Sequence, residues 1–260
     1  MGSVIYGPVP SWRLGRSLGI DVLASRSKFC SFDCIYCQLG ETVHTVVRRR
    51  EFVSLGRLEE ELGAVGRAAI DHATFSGMGE PTLATNLGEA IRLVRSNLGV
   101  PVAVLTNASL MSREDVRVDL AQADVVVAKV DAPDEALFRL VNRPRVRTTL
   151  REIVDSIKVF RKAYRGKLAL QMMFVEANRG GAARMAALAR EVGPDEVQVN
   201  TPLRPCAVRP LPPEEIDAVR AEFAGLGRVI SVYEAVRPET TPLDVPETER
   251  RRPRMPQEGR

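Results

Sequence analysis

The sequence has no long apolar segment, and cysteine is scarce in it. No apolar run approaches the roughly 18 residues of a membrane-spanning helix. The first residues, MGSVIYGPVPSWRLGRS, have no signal-peptide architecture. We therefore expect a cytoplasmic protein with no membrane partner. Because thiols stay reduced in that compartment, the four cysteines among 260 residues are expected to serve a metal or catalysis rather than disulfides.

Three of the four cysteines stand together, and the sequence has few further ligands for a structural zinc site. Cys30, Cys34 and Cys37 form a Cys-x3-Cys-x2-Cys pattern within KFCSFDCIYCQLG, residues 28–40. Structural zinc is usually held by four ligands, commonly as two separated pairs. The other candidate ligands do not repeat a paired spacing: His44, His72 and Cys206.

Three closely spaced thiolates favour an iron–sulfur cluster over zinc. A [4Fe–4S] cluster contains four irons, so three cysteines leave one iron without a protein ligand. A substrate or cofactor can coordinate that iron. Structural zinc, and cysteines that are close only by coincidence, are the alternatives. The pattern predicts a [4Fe–4S] cluster on Cys30, Cys34 and Cys37.

Apolar, β-branched segments alternate with amphipathic helical segments along the chain. Near-continuous apolar character is typical of parallel strands that are covered on both faces. Six such strands are predicted, at residues 18–24, 72–78, 100–107, 123–131, 168–176 and 195–202. A weaker strand is predicted at 228–236. Six βα units with right-handed crossovers form either an open doubly wound sheet or a partial barrel, and the alternation alone does not separate the two.

Composition divides the chain into a folded unit, residues 1–236, and a Pro- and Arg-rich tail, residues 237–260, that we expect to be mostly disordered. The chain carries 37 Lys and Arg against 33 Asp and Glu, a formal net charge of +4, and much of the excess lies near the end. A basic balance of this size permits an anionic ligand or nucleic acid and requires neither.

The cysteine loop resembles that of the radical S-adenosylmethionine (radical SAM) superfamily in its spacing and in the aromatic Tyr36 before its last cysteine. The resemblance implies that the amino and carboxylate groups of S-adenosylmethionine (SAM) bind the open iron. Reductive cleavage of SAM would then give a 5′-deoxyadenosyl radical, which abstracts hydrogen from a substrate. The resemblance also implies an α/β fold, a partial (β/α)6 TIM-like barrel with a short C-terminal extension. The site would lie at the carboxyl ends of the strands.

A glycine-containing turn, SGMGEPTL at residues 76–83, follows the second predicted strand. Glycine lets the backbone approach a ligand closely, and Glu80 can accept a hydrogen bond from an ammonium group. The turn resembles the superfamily's Gly-Gly-Glu-Pro motif, which holds the SAM amino group, with Met78 in place of the first glycine. Gly79 and Glu80 are therefore predicted to bind SAM. An ordinary strand-to-helix turn is the alternative.

Polar residues also end the next two strands. Asn107 follows the third strand, where it faces the pocket of a barrel or merely caps the next helix. Lys129 and Asp131 end the fourth strand and share one face at period two. A lysine in an apolar strand needs an anionic partner, which is the SAM carboxylate, Asp131 itself or a substrate carboxylate. We predict that all three residues bind the cofactor, with an internal Lys–Asp pair as the alternative.

Met173 and Asn200 end the fifth and sixth strands and are predicted to bind the cofactor. Met173 would lie beside the nucleoside, although methionine is more often a core residue, and Asn200 where a substrate would meet the cofactor. Arg204 is suited to bind a carboxylate or phosphate, or else lies on the surface. The opening stretch, residues 6–21, is expected to lie across one mouth of the barrel. There Arg13 or Arg16 would favour the reduced cluster.

A closer resemblance covers nearly the whole barrel: YGPVPSWRLGRSLGID, the cysteine loop, GMGEPTL, LTNAS, KVDAP, LVNRP and VNTPLRP. These segments resemble the radical SAM group that is related to the tRNA 4-demethylwyosine synthases. Those synthases carry a second cluster on upstream cysteines. Because no cysteine precedes Cys30, a single-cluster relative is expected. Such relatives commonly continue into a small helical module, which we expect to be truncated or lost here.

The resemblance implies an electron donor of the flavodoxin or ferredoxin type and a small-molecule or tRNA substrate that the residues do not identify. Three alternatives stay open. The first is tRNA modification of the wyosine type, and the second is a non-catalytic iron–sulfur sensor of redox state or iron. An activating enzyme that installs a glycyl radical on a protein is supported by the cysteine loop alone.

Overall fold

A computed structural model describes residues 2–45 and 48–253. Its main feature is one curled sheet of eight strands, in the order β1-β2-β5-β6-β7-β8-β9-β10. β1 pairs antiparallel with β2, and every other neighbouring pair is parallel. The strands of this sheet are β1 Ile5–Ser11, β2 Gly15–Ile20, β5 His72–Phe75, β6 Val102–Thr106, β7 Val125–Lys129, β8 Lys167–Met173, β9 Glu196–Asn200 and β10 Arg228–Ser231. Two short strands, β3 Phe29–Cys30 and β4 His44–Thr45, pair separately.

Helices cover one face of the sheet. They are α1 Leu55–Gly63, α2 Leu87–Leu98, α3 Glu114–Leu120, α4 Glu135–Val141, α5 Leu150–Ala163, α6 Ala182–Val192, α7 Pro213–Ala221 and α8 Val245–Arg251. Local sequence sets several of their ends. Thr149 and Glu152 form a capping box at the start of α5, and Gly99 ends α2 in the left-handed conformation. Among the described residues, no helix is both long and apolar enough to cross a membrane.

The two faces of the strands serve different purposes. The outward face of the parallel strands packs against the helices in one large apolar cluster that includes Val104, Leu170 and Val199. The inward face forms a small second cluster, in which Leu14 of the β1–β2 turn packs on Ala103, Val125, Val127 and Ala169. The interior is therefore closed at this level by Leu14, and polar side chains at the carboxyl ends of the strands are left to form a site.

The partial-barrel architecture expected from the sequence is confirmed. The opening stretch, expected to lie across one mouth of the barrel, forms the antiparallel strands β1 and β2 at the edge of the sheet. The two strands pack closely: Gly19 of β2 leaves room for the ring of Tyr6, which would lie 2.1 Å from a Cβ at that position. Such a contact is between strands and leaves no periodic signal in the sequence.

The structure differs from the expectation of a mostly disordered tail over residues 245–251. These residues form α8, and its Arg251 is fully buried, with its Nε 2.8 Å from Asp21 Oδ2. An arginine-rich composition predicts solvent exposure because buried charge is costly, but here a carboxylate from the far end of the chain compensates that charge. Residues 254–260 of the predicted tail lie outside the described part of the chain.

Candidate functional site

A cavity of about 370 Å³ opens at the carboxyl ends of the parallel strands. Its volume lies within the roughly 300–1,000 Å³ of small-molecule sites. Ten of the eleven residues predicted for the site line it: Cys30, Cys34, Tyr36, Cys37, Gly79, Glu80, Asn107, Lys129, Met173 and Asn200. Asp131 lies behind this wall and is buried. The fold thus brings together residues from the cysteine loop and from the ends of five strands.

The cysteine loop is attached to the glycine turn by backbone hydrogen bonds. Phe29 N donates to Met78 O at 2.9 Å, and Glu80 N donates to Phe29 O at 3.1 Å. Gly79 has φ +154°, and a Cβ there would lie 1.5 Å from Phe29 O. Glycine is therefore required at this position by the approach of the cysteine loop, whereas the sequence suggested the approach of a ligand.

Side-chain amides at the ends of β6 and α4 lie beside two of the thiols. Asn107 Nδ2 is 3.6 Å from Cys30 Sγ, and Asn142 Nδ2 is 3.5 Å from Cys34 Sγ. Burial raises the pKa of Cys30 to about 12 and that of Cys34 to about 11, so these thiols are neutral unless a metal binds them. N–H donors directed at sulfur are what metal-bound thiolates require.

Lys28 lies beside the same thiols and was not predicted from the sequence. Its Nζ donates to Gly40 O at 2.9 Å and lies 3.7 Å from Asp33 Oδ1. Burial lowers the pKa of Lys28, but Cys37 and Cys30 outweigh burial, and the pKa is raised overall. A buried positive charge next to three thiols stabilises their deprotonated form.

The donor set fits an iron–sulfur cluster better than a single ion. Within residues 2–45 and 48–253, no group of three or more His, Cys, Asp and Glu side chains is arranged to hold one metal ion. The three thiols instead share the wall of a wide pocket. Soft thiolates with N–H donors to sulfur and a neighbouring lysine are suited to a cluster that carries negative charge.

Glu80 is fully engaged within the protein. Its carboxylate accepts from Thr82 N at 3.1 Å, from Thr82 Oγ1 at 2.7 Å, from Thr106 Oγ1 at 2.6 Å and from Asn107 N at 2.7 Å. These contacts join the glycine turn to the end of β6. Glu80 therefore fixes the backbone on both sides of the pocket wall, besides lining the pocket itself.

Asp131 organises a second group of residues. Its Oδ2 accepts from Tyr36 Oη and from Asn142 Nδ2, the latter at 2.8 Å, and its Oδ1 accepts from Met173 N at 2.9 Å. Lys129 Nζ is 3.8 Å from Asp131 Oδ2 and 4.6 Å from the centre of the Tyr36 ring. The internal Lys–Asp pair is thus present, and the Lys129 amine still borders the pocket.

Several other pocket residues do not follow from the pattern of strand ends. Asn142 occurs in the quoted segment LVNRP, but no strand or helix pattern places it beside Cys34. Tyr6 of β1 and residues 251–253, from the last residue of α8 onward, also line the pocket, and so does Arg13 of the β1–β2 turn, which was expected near the cluster. Contacts between the two ends of a chain have no local sequence signal.

Comparison with known proteins identifies the family. The family model of the radical SAM superfamily matches residues 25–179, which include the cysteine loop and the ends of β5 to β8. The chain belongs to the radical SAM superfamily. A UPF0026 protein of Methanocaldococcus jannaschii is 37% identical over 235 residues, with 88% of this chain and 72% of that protein covered. A UPF0026 protein of Synechocystis is 40% identical over 204 residues, with 77% and 76% covered.

Solved radical SAM structures share the fold. Streptococcus suis SuiB bound to the precursor peptide SuiA superposes with a TM-score of 0.64 at 12% identity, over 84% of this chain and 49% of SuiB. The enzyme anSMEcpe with bound AdoMet gives a TM-score of 0.59 at 19% identity, over 84% and 64%. The chain therefore spans about half the length of SuiB, and at these identities the likeness concerns the fold alone.

Proposed function

We propose that this radical SAM protein is an enzyme that cleaves SAM reductively at one [4Fe–4S] cluster and abstracts hydrogen from a substrate. The observation that carries the proposal is the meeting of three thiols in one pocket at the carboxyl ends of the strands, in a chain that belongs to this superfamily. Cys30, Cys34 and Cys37 would hold the cluster. When bound, the cluster and SAM together supply a 5′-deoxyadenosyl radical.

Other residues of the chain would stabilise the cluster and hold the pocket wall. Asn107 and Asn142 donate N–H groups toward the cysteine sulfurs, and Lys28 places positive charge beside them. The Glu80 carboxylate holds the glycine turn and the end of β6 in fixed positions. Charge-assisted hydrogen bonds of this kind are about twice as strong as neutral ones, so this part of the wall is rigid before any ligand binds.

The pocket also has groups for the amino-acid part of SAM. Lys129 is the cation best placed to bind the carboxylate, since Asp131 and the Tyr36 ring hold its amine at the pocket wall. The backbone around Gly79 borders the pocket and would supply carbonyl groups to the ammonium. Met173 and Asn200 line the same cavity from β8 and β9 and would contact the nucleoside.

The proposed reaction needs an electron donor and a substrate. A flavodoxin or ferredoxin would reduce the cluster. The substrate would be a small molecule, with tRNA as the second candidate. A sensor that binds a cluster without catalysis would share the cysteines, so cleavage of SAM is the property that separates the two.

Anaerobic reconstitution with iron and sulfide, followed by dithionite and SAM, tests the proposal. We expect about four irons per chain, a charge-transfer absorption band and formation of 5′-deoxyadenosine and methionine. Cys34→Ala should abolish both the cluster and SAM cleavage. Cys206→Ala is the matched control, because Cys206 lies outside the cysteine loop and its Sγ donates to Val208 O; this variant should keep both.

A protein that bound a single zinc ion would contradict the proposal. So would a protein that bound a cluster but yielded no 5′-deoxyadenosine, since that behaviour belongs to a sensor. Cleavage of SAM by the Cys34→Ala variant would show that the cysteine loop has been assigned the wrong role.

A further inference from the structure

The pocket wall is strongly basic. Within the described part of the chain, seven lining residues are Lys or Arg and one, Glu80, is acidic. The Glu80 carboxylate is already bound by donors of the chain. An oxidised [4Fe–4S] cluster on three thiolates carries one net negative charge and SAM one net positive charge, so the two cofactors cancel each other. An anionic group of a third ligand would balance the positive charge of the wall that the carboxylates of the chain leave unpaired.

The seven cations differ in how they are paired. Three have a carboxylate within ion-pair distance: Arg251 with Asp21 at 2.8 Å, Lys28 with Asp33 at 3.7 Å and Lys129 with Asp131 at 3.8 Å. Arg13 and Arg252 form no ion pair with an Asp or Glu in residues 2–45 and 48–253. These two side chains line the pocket, and no carboxylate of those residues lies within ion-pair distance of them.

Both guanidinium groups have a buried nitrogen without a partner. Arg13 Nη1 donates to Gln171 Oε1 at 2.5 Å, and its guanidinium lies 5.1 Å from the centre of the Trp12 ring. Its Nε is buried and has no hydrogen-bond partner among the described residues, and the same holds for Arg252 Nε. A buried donor without a partner costs free energy that a bound acceptor would recover.

Arg13 and Arg252 both line the pocket, and neighbouring positive charges help to lower the pKa of each. Burial is the largest cause that lowers the pKa of Arg13, and the charge of Arg252 is the next, followed by Glu196, which opposes it, and Arg204. Burial is also the largest cause that lowers the pKa of Arg252; Tyr6 opposes this effect and the charge of Arg237 adds to it. Like charges that converge on one cavity, with donors unpaired, are typical of a site that binds an oxyanion.

We propose that Arg13 and Arg252 bind an anionic group, a carboxylate or a phosphate, of a small-molecule substrate. This inference rests on the proposed function, because it identifies the substrate class of the same pocket. Arg13 comes from the β1–β2 turn and Arg252 from the segment after α8, so the two ends of the chain together form this subsite. The SAM carboxylate would have its own partner, Lys129, whose amine lies at the part of the pocket wall formed by Asp131 and the Tyr36 ring.

The test measures anion binding to the full chain after reconstitution and in the presence of saturating SAM. Inorganic phosphate, malonate and an RNA hairpin are titrated separately at constant ionic strength, and calorimetry gives each affinity. We expect phosphate or malonate to bind saturably. The anion with the higher affinity identifies the substrate's anionic group as a phosphate or a carboxylate. Arg13→Gln and Arg252→Gln should each weaken this binding about tenfold or more. Arg92→Gln, on the exposed face of α2, should leave it unchanged.

Two further measurements keep the result interpretable if a glutamine variant folds poorly. Arg13→Lys and Arg252→Lys keep the charge but lose the planar fork of donors, so they should bind the anion with intermediate affinity. In the wild-type protein, the anion should protect Arg13 and Arg252, and not Arg92, from modification by phenylglyoxal, as read by mass spectrometry.

The proposal is overturned if the glutamine variants bind the anion as the wild type does, or if their defect is in SAM binding. It is also overturned if neither small anion binds, including the case in which only RNA binds. Cleavage of SAM without substrate is measured in the same samples. If the wild type cleaves SAM but binds no anion, only the substrate class fails; if it cleaves no SAM, the proposed function fails independently.

Discussion

Arg251 and Asp21 form a buried ion pair, with Arg251 Nε 2.8 Å from Asp21 Oδ2, although the two residues are 230 positions apart. Arg251 Nη1 also reaches Glu247 Oε2 at 2.7 Å. Asp21 in turn accepts from Met78 N at 3.2 Å, next to the glycine turn of the pocket. The pair therefore attaches the C-terminal helix to the pocket wall.

Removal of either partner of this pair should be strongly destabilising, because the remaining charge stays buried. We expect Asp21→Ala or Arg251→Ala to lower the free energy of unfolding by about 3–5 kcal/mol. Urea denaturation followed by circular dichroism measures this. Arg16→Ala is the matched control, since Arg16 pairs with Asp71 at the surface, and it should change stability little. Equal effects at the two sites would contradict the buried-pair argument.

Gly79→Ala should displace the cysteine loop, because its Cβ would lie 1.5 Å from Phe29 O and the backbone has φ +154°. We expect a loss of about 1–3 kcal/mol in folding stability and loss of most of the iron taken up on reconstitution. Iron analysis and thermal denaturation check both. Gly56→Ala in α1 is the control, since a Cβ there meets nothing within 4 Å. Full iron content in Gly79→Ala would show that the loop position does not determine cluster binding.

The sequence predicted the pocket residues that lie at the carboxyl ends of the parallel strands. Asn107, Lys129, Met173 and Asn200 each lie at the end of a parallel strand, so the period of the fold placed them correctly in one pocket. Asp131, which was also predicted to bind the cofactor, lies behind the pocket wall, where it contacts Lys129 and Tyr36.

Long-range contacts account for what the sequence did not predict. Helix α8 is held in place by the carboxylate of Asp21, which directly follows β2. Strand β1 lies against β2 with Tyr6 packed over Gly19. Asn142 follows α4, and its amide reaches Cys34, 108 positions away. Such contacts depend on the finished fold, and hydrophobic periodicity records only the local chain.

The amide of Asn142 should tune the cluster. N–H donors to cysteine sulfur stabilise the reduced form, so Asn142→Leu is expected to lower the midpoint potential. A redox titration followed by electron paramagnetic resonance measures the change, with Asn97→Leu on the exposed face of α2 as the control. Because Asn142 also donates to Asp131, iron content is measured in parallel. An unchanged potential in a fully loaded Asn142→Leu variant would show that this hydrogen bond has no electrostatic effect.

Lys129→Met should weaken SAM binding without loss of the cluster. The amine borders the pocket and is held by Asp131 and the Tyr36 ring, so its removal deletes one charge-assisted contact, worth about 1.5–3 kcal/mol or roughly tenfold or more in affinity. Equilibrium binding of SAM to the reconstituted protein measures this, and Lys158→Met, on the outer face of α5, is the control. Asp131→Asn keeps the lysine charge but removes its anchor, so it should weaken SAM less than Lys129→Met does. If Asp131→Asn were the more damaging change, the carboxylate rather than the amine would be the group that SAM depends on.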